Sequence, residues 1–494
     1  MSESVLLWFR RDLRLADNPA VAAATATGKP VIPLYLWSPG DDGDWPPGAA
    51  SRAWLSRSLS ALDDDLRARG SRLLILKGDS PETIPRLAAT CSASMVFANR
   101  RHEPSAAAVD TRVKTRLEEA GIAFRCFEAS LLFDPEAIRT RSGGPFQVFT
   151  PFWRACLSAA PVPSTLPAPK TWATPSRWPS SLSPRELPLL PHHPWAERML
   201  SHWSPGEAGA RKRLRAFCTH ALFDYSTARD RPAADGVSRL SPHLHFGELS
   251  PRQIWHAVRD RENAGPAGKG DAGAPAVFLR QLGWREFSHH VLHHFPRTDR
   301  QPLRPAFSAF PWSHSPAHLR AWQQGQTGYP LVDAGMRELW ATGFMHNRVR
   351  MVVASFLVKD LLQPWLEGAR WFWDTLVDAD LAQNSLNWQW CAGCGADAAP
   401  YFRILNPTTQ AERFDPQGEY IRRWVPELAA LPSRLLFAPW NASRAQLGAA
   451  GVALGKTYPA PIVDHETARA RALSALRSMR GPSSKRTSAE PTKV

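Results

Sequence analysis

"SVLLWFRRDLRLADNPAVAAATATGKPVIPLYLW", residues 4–37, decides the fold class. It opens on an apolar run of strand length, SVLLWF. A charged stretch follows, and then NPAVAAATA reads as a helix with Pro19 near its start. VIPLYLW is a second apolar run. Working outward, SRAWLSRSLSALDDDLRARG has helical periodicity, with Trp54, Leu55, Leu59, Leu62 and Leu66 on one side and Gly70 as its stop. RLLILKG, SMVFANR and AFRCFE are further strand candidates, with helical stretches before or between them. Apolar strands alternating with helices predict a doubly wound parallel sheet, Rossmann-like, over residues 1–133. No G-x-G-x-x-G follows the first strand, so the usual dinucleotide fingerprint is missing.

Beyond this region the character changes. Residues 134–200 are dense in Pro and Ser and have little periodicity, which predicts an extended interdomain connector over the surface. Residues 201–480 read as helical throughout. GEAGARKRLRAFCTHAL, AVFLRQLGWREFSHHVLHHF, PLVDAGMRELWATG and NRVRMVVASFLVKDLL are its clearest helices. Residues 481–494 are polar and are expected to be disordered. The expected architecture is therefore α/β followed by all-α.

With 494 residues the chain is too long for one ordinary core. Apolar residues are 44% and charged residues 21%, as in a water-soluble globular protein. A net charge of +15 favours a polyanionic partner such as nucleic acid. No apolar run of about 18 residues exists, so no membrane span is expected. The first residues lack the pattern of a signal peptide, which predicts a cytoplasmic protein with reduced thiols. Cys391 and Cys394 form a single C-x-x-C, taken as packing, and no metal is expected.

Three stretches carry chemistry. In NRVRMVVASFLVKDLL, helical spacing puts Asn347, Arg350 and Met351 on one face and turns Arg348 elsewhere. In RQLGWREF, Gln281, Trp284 and Arg285 share a face. Such a mixture of aromatic, amide and guanidinium groups suits a planar ligand that is stacked and hydrogen-bonded at once. DGVSRLSP offers backbone N–H groups and the hydroxyls of Ser238 and Ser241, a stretch able to hold phosphate.

These motifs, with WFRRDLRLADNPA, TGYPLVDAGMRELWATGFMHNRVRMVVASFLVKDLL, DADLAQNSLNWQW and DAAPYFRILNPTTQAERFDPQGEYIRRW, resemble the photolyase/cryptochrome flavoprotein family over nearly the whole chain. ASRAWLSRSL and GWREFSHHVLHHFP lean toward its class III bacterial and plant-type branch. The resemblance implies FAD in the helical domain and blue-light repair of cyclobutane pyrimidine dimers in damaged DNA, single- or double-stranded, by a monomer with no membrane partner. It implies that Tyr225, Arg229, Val237, Ser238, Arg239, Leu240 and Ser241 hold the phosphates and ribityl chain of FAD, Val237 standing where threonine is common. Arg350, Asp378 and Asp380 would lie near the isoalloxazine, with Asn384 facing flavin N5. Trp388, Trp365 and Trp312 resemble an electron-transfer triad. Gln281, Trp284, Arg285, Asn347, Arg348, Met351 and Arg403 would meet the lesion and its DNA. Gln281 stands where dimer-repairing enzymes usually carry glutamate, which predicts slowed repair. A receptor that signals and repairs little is the alternative, and a (6-4) photolyase a more distant one. The antenna stays open between a folate, a deazaflavin and an altered or empty pocket, since Ser105-Ala106 and Ala53-Trp54 depart from the family's antenna motifs.

Overall fold

The computed structural model describes residues 3–159, 161–191, 193–265, 270–398 and 402–479. The expected disordered tail lies outside the described residues. Five strands, β1 (Ser4–Phe9), β2 (Val31–Trp37), β3 (Leu74–Lys77), β4 (Ala93–Asn99) and β5 (Ala123–Phe127), pair in the order β3-β2-β1-β4-β5. All the pairings are parallel. Parallel neighbours need crossovers, supplied by the helices Pro19–Ala26, Ala49–Arg67, Ser80–Thr90 and Pro104–Glu119. The first of these starts where Asn18 accepts a hydrogen bond from the Val21 amide at 3.1 Å, with Pro19 needing no acceptor.

The central strands are buried on both faces, and their side chains alternate between two cores. Val5, Leu7, Phe9, Val31, Tyr35 and Trp37 enter one; Leu6, Trp8, Ile32, Leu34 and Leu36 enter the other. This is the doubly wound sheet that the sequence predicts. The order reverses at β1, between β2 and β4. In sheets of this kind the ligand crevice opens there, beyond the carboxyl ends of the strands.

The connector corrects the expectation of a bare surface strap. Residues Phe149–Leu157 form a helix whose Phe149 and Phe152 are buried. Farther along, Trp172, Leu187 and Leu189 join the core on one face of the sheet. The Leu182 amide donates to the Ile75 carbonyl at 2.9 Å, and the Ile75 amide donates to Ser181 Oγ at 2.9 Å. The extended chain thus satisfies backbone groups of the edge strand β3, which would otherwise be open to pairing.

A third core gathers Leu214, Phe217, Tyr225, Leu240, Ile254, Phe278 and Leu282 from the helices Glu207–His220, Pro251–Asn263 and Ala274–His294 and the segments between them. The stretch read as one helix from residue 347 is instead an α-helix, Asn347–Ser355, followed by a π-helical turn, Phe356–Asp360. Contacts divide the chain into two compact units, and the division does not follow composition. The first is Met1–Asp299, Arg337–Arg348 and Ala369–Asn387; the second is Arg300–Met336, Val349–Gly368 and Trp388–Val494. The sheet and all three cores lie in the first unit. Among the described residues no helix is long and apolar enough to cross a membrane.

Candidate functional site

The segment 225–241 of the first unit is anchored from both ends. Tyr225 is part of the third core and meets Phe217 and Phe278 edge-on. Arg229 lies 5.4 Å from the Tyr225 ring centre. Gly236 packs against Ala228 so closely that a Cβ would strike the Ala228 backbone. Arg213 fixes the loop by donating to the carbonyls of Ser238 at 2.8 Å and Val237 at 2.9 Å. Arg239 takes a left-handed backbone, φ 51°, and its buried Nε has no hydrogen-bond partner. Leu240 is a core residue, so any ligand contact it makes comes from its backbone.

Ser241 joins this loop to the acidic stretch, its hydroxyl donating to Asp378 Oδ2 at 2.6 Å. Asp380 caps the helix Leu381–Ala392, its Oδ1 accepting from the Gln383 amide at 2.9 Å. Its Oδ2 lies 3.4 Å from His289 Nε2. Burial would raise the Asp380 carboxyl, but His289 and Arg285 hold it well below the usual carboxylate range. Asn384, one turn into the helix, donates its amide N–H to the Ala369 carbonyl at 3.0 Å. Its Oδ1 has no partner among the described residues, so the side chain presents an acceptor. Sequence alone does not single out His289, which the run of histidines after GWREF hides among its neighbours.

Gln281 and Trp284 sit half-buried on the helix Ala274–His294. Gln281 donates to the Val277 carbonyl at 3.1 Å. One face of Trp284 stacks on Phe149, ring centres 3.8 Å apart and nearly parallel. Phe149 likewise escapes sequence reasoning, because the connector shows no periodicity that would place it. Arg285 is buried on the same helix as Trp284 and donates from one guanidinium N–H to the Ser130 carbonyl at 2.6 Å. Asn347 is exposed, and Arg348 pairs with Asp230 at 2.6 Å. Arg350 and Met351, both half-buried, belong to the second unit, as does exposed Arg403, 4.9 Å from the Trp390 ring centre.

The three tryptophans all fall in the second unit. Trp388 is 2% exposed and Trp365 5%, while Trp312 is half-buried. The Trp388 ring lies over Gly368, where a Cβ would collide with it, one turn along from Trp365 in the helix Trp365–Thr375. Burial pushes the thiols of Cys391 and Cys394 up to about 12, so neither is a thiolate at neutral pH.

A pocket opens at the sheet's reversal point, lined by Arg10, Tyr35, Trp37, Arg101, Phe246 and Trp373, among others. Arg101 pairs there with Asp42 and Glu103.

The fold has close counterparts. The family described as DNA photolyase matches residues 5–170, and the FAD binding domain of DNA photolyase matches 278–478. The deoxyribodipyrimidine photo-lyase of Agrobacterium fabrum is 45% identical over 95% of this chain and 97% of its own. Cryptochrome-1 of Arabidopsis thaliana is 42% identical over 96% of this chain and 70% of its own. The crystal structure of a bacterial class III photolyase from Agrobacterium tumefaciens superposes with a TM-score of 0.93 at 44% identity, covering 97% of this chain and 98% of that one.

Proposed function

Because the chain belongs to the photolyase/cryptochrome family of flavoproteins, we propose that it is a light-driven lyase that splits cyclobutane pyrimidine dimers in DNA. The observation that carries this reading is Asn384. Its amide nitrogen donates to the Ala369 carbonyl, and its Oδ1, with no partner among the described residues, is a neutral acceptor. A reduced flavin carries a hydrogen at N5 and matches such an acceptor. A neutral amide has no proton to give, so it favours keeping the flavin reduced over cycling it as a receptor does.

FAD, when bound and fully reduced, absorbs blue light and supplies the electron that opens the cyclobutane ring and then takes it back. The protein binds and orients. Ser238, Ser241, Arg229 and the backbone around Val237, Arg239 and Leu240 hold the phosphates and ribityl chain, and the unpartnered Nε of Arg239 is a donor suited to that anion. Asp378 and Asp380 position the flavin ring. Trp388, Trp365 and Trp312 refill the flavin with electrons from outside. Gln281, Trp284, Asn347 and Arg348 receive the flipped dimer and its strand. Photolyases are among the enzymes that turn their target bases out of the duplex, and a dimer already distorts its stack, which lowers the cost of leaving it.

The domain assignment that goes with this reading is an antenna domain over 1–133, a connector over 134–200 and the FAD and lesion domain over 201–480. The antenna stays open: a folate or a deazaflavin would sit in or beside the antenna domain, unless the departures at Ser105-Ala106 and Ala53-Trp54 leave its pocket altered or empty. The DNA is single- or double-stranded, the working form is a monomer, and the compartment is the cytoplasm. The test is direct. Fully reduced protein is illuminated with an oligonucleotide containing one dimer. Loss of the dimer in light and not in darkness is expected. Normal FAD binding with no repair would move the function to the light receptor.

A further inference from the structure

Glu136, His293 and His294 stand together where the connector passes the end of the helix Ala274–His294, and the electron-transfer reading uses none of them. One donor atom from each lies within 4.8 Å of the others. We propose that these three side chains form a site for a borderline divalent cation, zinc above all, that clasps the connector to the end of this helix.

Two imidazoles and one carboxylate are a donor set that zinc accepts in tetrahedral form, with a solvent molecule as the fourth ligand. Bonds of about 2.0–2.1 Å put the donors roughly 3.4 Å apart. The present spread is therefore closed by about an ångström of side-chain motion, with no backbone change. Glu136 is more than half exposed and His293 about a third, so both have room to move.

The surrounding contacts prepare the ligands. Glu136 Oε1 already faces His293 Nε2 at 2.5 Å, while Arg139 holds its other oxygen. The hydrogen bonds from His293 and Arg139 keep the Glu136 carboxyl below its usual range, so it is an anion. His294 Nε2 lies 3.0 Å from the Pro135 carbonyl. A ligating histidine ordinarily gives its other N–H to a carbonyl in this way, which leaves Nδ1 for the metal. Burial lowers the His294 imidazole, with His293 and Arg139 adding to the effect, so it is neutral and able to ligate at pH 7. His290, pushed down to about 4 by burial, backs His294 with ring centres 4.5 Å apart. The cluster lies at the helix's C-terminal end, which favours a cation. The charges that oppose a cation are Arg139 and, in acid, the second histidine. Glu128 acts on His293 with the favourable sign.

The experiment uses the full FAD-loaded chain after treatment with a chelator. Zn²⁺ is titrated calorimetrically, and the zinc retained after dialysis is counted. The arms are wild type, Glu136→Gln, His293→Gln, His294→Gln and, as a control, His220→Gln, a lone exposed histidine that also ends a helix. Wild type and His220→Gln should retain one zinc per chain, and each site variant should bind at least about ten-fold more weakly. Zinc should also raise the melting temperature of wild type and not of the site variants. The changes lie at the surface, and circular dichroism confirms that each variant is folded before titration. No retained zinc in wild type, or retention unchanged in the three site variants, would overturn the site.

Discussion

At the scale of single residues, Trp388 separates two electron flows. It is 2% exposed and seated over Gly368, so phenylalanine fills most of its space while losing the easily oxidised indole. Trp388→Phe should abolish photoreduction of oxidised FAD and leave repair by chemically reduced protein nearly intact. Equal photoreduction in both proteins, followed by absorbance under blue light, would remove Trp388 from the path. Gln281 is the complementary case. One of its two amide N–H groups goes to the Val277 carbonyl at 3.1 Å, which leaves a single weak N–H where a dimer radical anion calls for a stronger donor. A protonated carboxyl could supply that donor. Gln281→Glu should therefore raise the repair quantum yield at low pH, and the gain should fade as the new carboxyl ionises and repels the anion. Quantum yields of the two reduced proteins across pH check this, and no gain at any pH sinks it. Trp388, Asn384 and the Ser-rich loop were singled out because each lies inside one contiguous motif that resembles the family's, so no contact between distant segments had to be foreseen. Phe149 against Trp284 and His289 against Asp380 were not, because those contacts join segments that are far apart in sequence.

At the scale of elements, the sheet was legible strand by strand. Unbroken apolar runs between amphipathic helices leave few alternatives to parallel strands covered on both faces. The connector was not legible, since Pro and Ser hide the anchors Trp172, Leu187 and Leu189 that tie it to a core. The turn at residues 131–133 that begins it is tied down by a buried acid. Glu286, on the helix Ala274–His294, accepts the amides of Leu132 at 2.9 Å and Phe133 at 3.1 Å. Burial pushes its carboxyl up to about 7, against the pull of Arg285 and of those amides. The folded chain therefore holds this proton above the pH at which the unfolded chain releases it, near 4.5. Its stabilising effect is complete below that value and is lost as pH rises toward 7, at up to about 1.4 kcal/mol per pH unit. Glu286→Gln keeps an acceptor for the two amides and cannot ionise. The variant should lose this downward slope of stability between roughly pH 4.5 and 7. Urea melts of the apoprotein at several pH values check it, and parallel slopes in the two proteins would show that Glu286 stays ionised.

At the scale of the whole molecule, the net charge of +15 bears on how DNA is found rather than on which DNA is kept. Lysines and arginines release counterions from any duplex, so binding to undamaged DNA should fall steeply as salt rises. Recognition of the dimer adds stacking and hydrogen bonds that salt screens little. The ratio of damaged to undamaged affinity should therefore grow with salt even as both affinities drop. Trp284 divides the two contributions. Phe149 occupies one face of its ring, and the part of the half-buried ring that stays exposed would stack a base. Stacking a base on an aromatic ring is worth about 1–3 kcal/mol. Trp284→Ala should therefore lower affinity for a dimer-containing oligonucleotide by roughly five- to a hundred-fold. Affinity for the undamaged sequence, and its dependence on salt, should be nearly unchanged. The same substitution uncovers Phe149, so a melt must accompany the titration. If both affinities fall together and the melting temperature falls with them, Trp284 acts through the stack that holds the connector helix. A selective loss with an intact melt makes it a reader of the lesion.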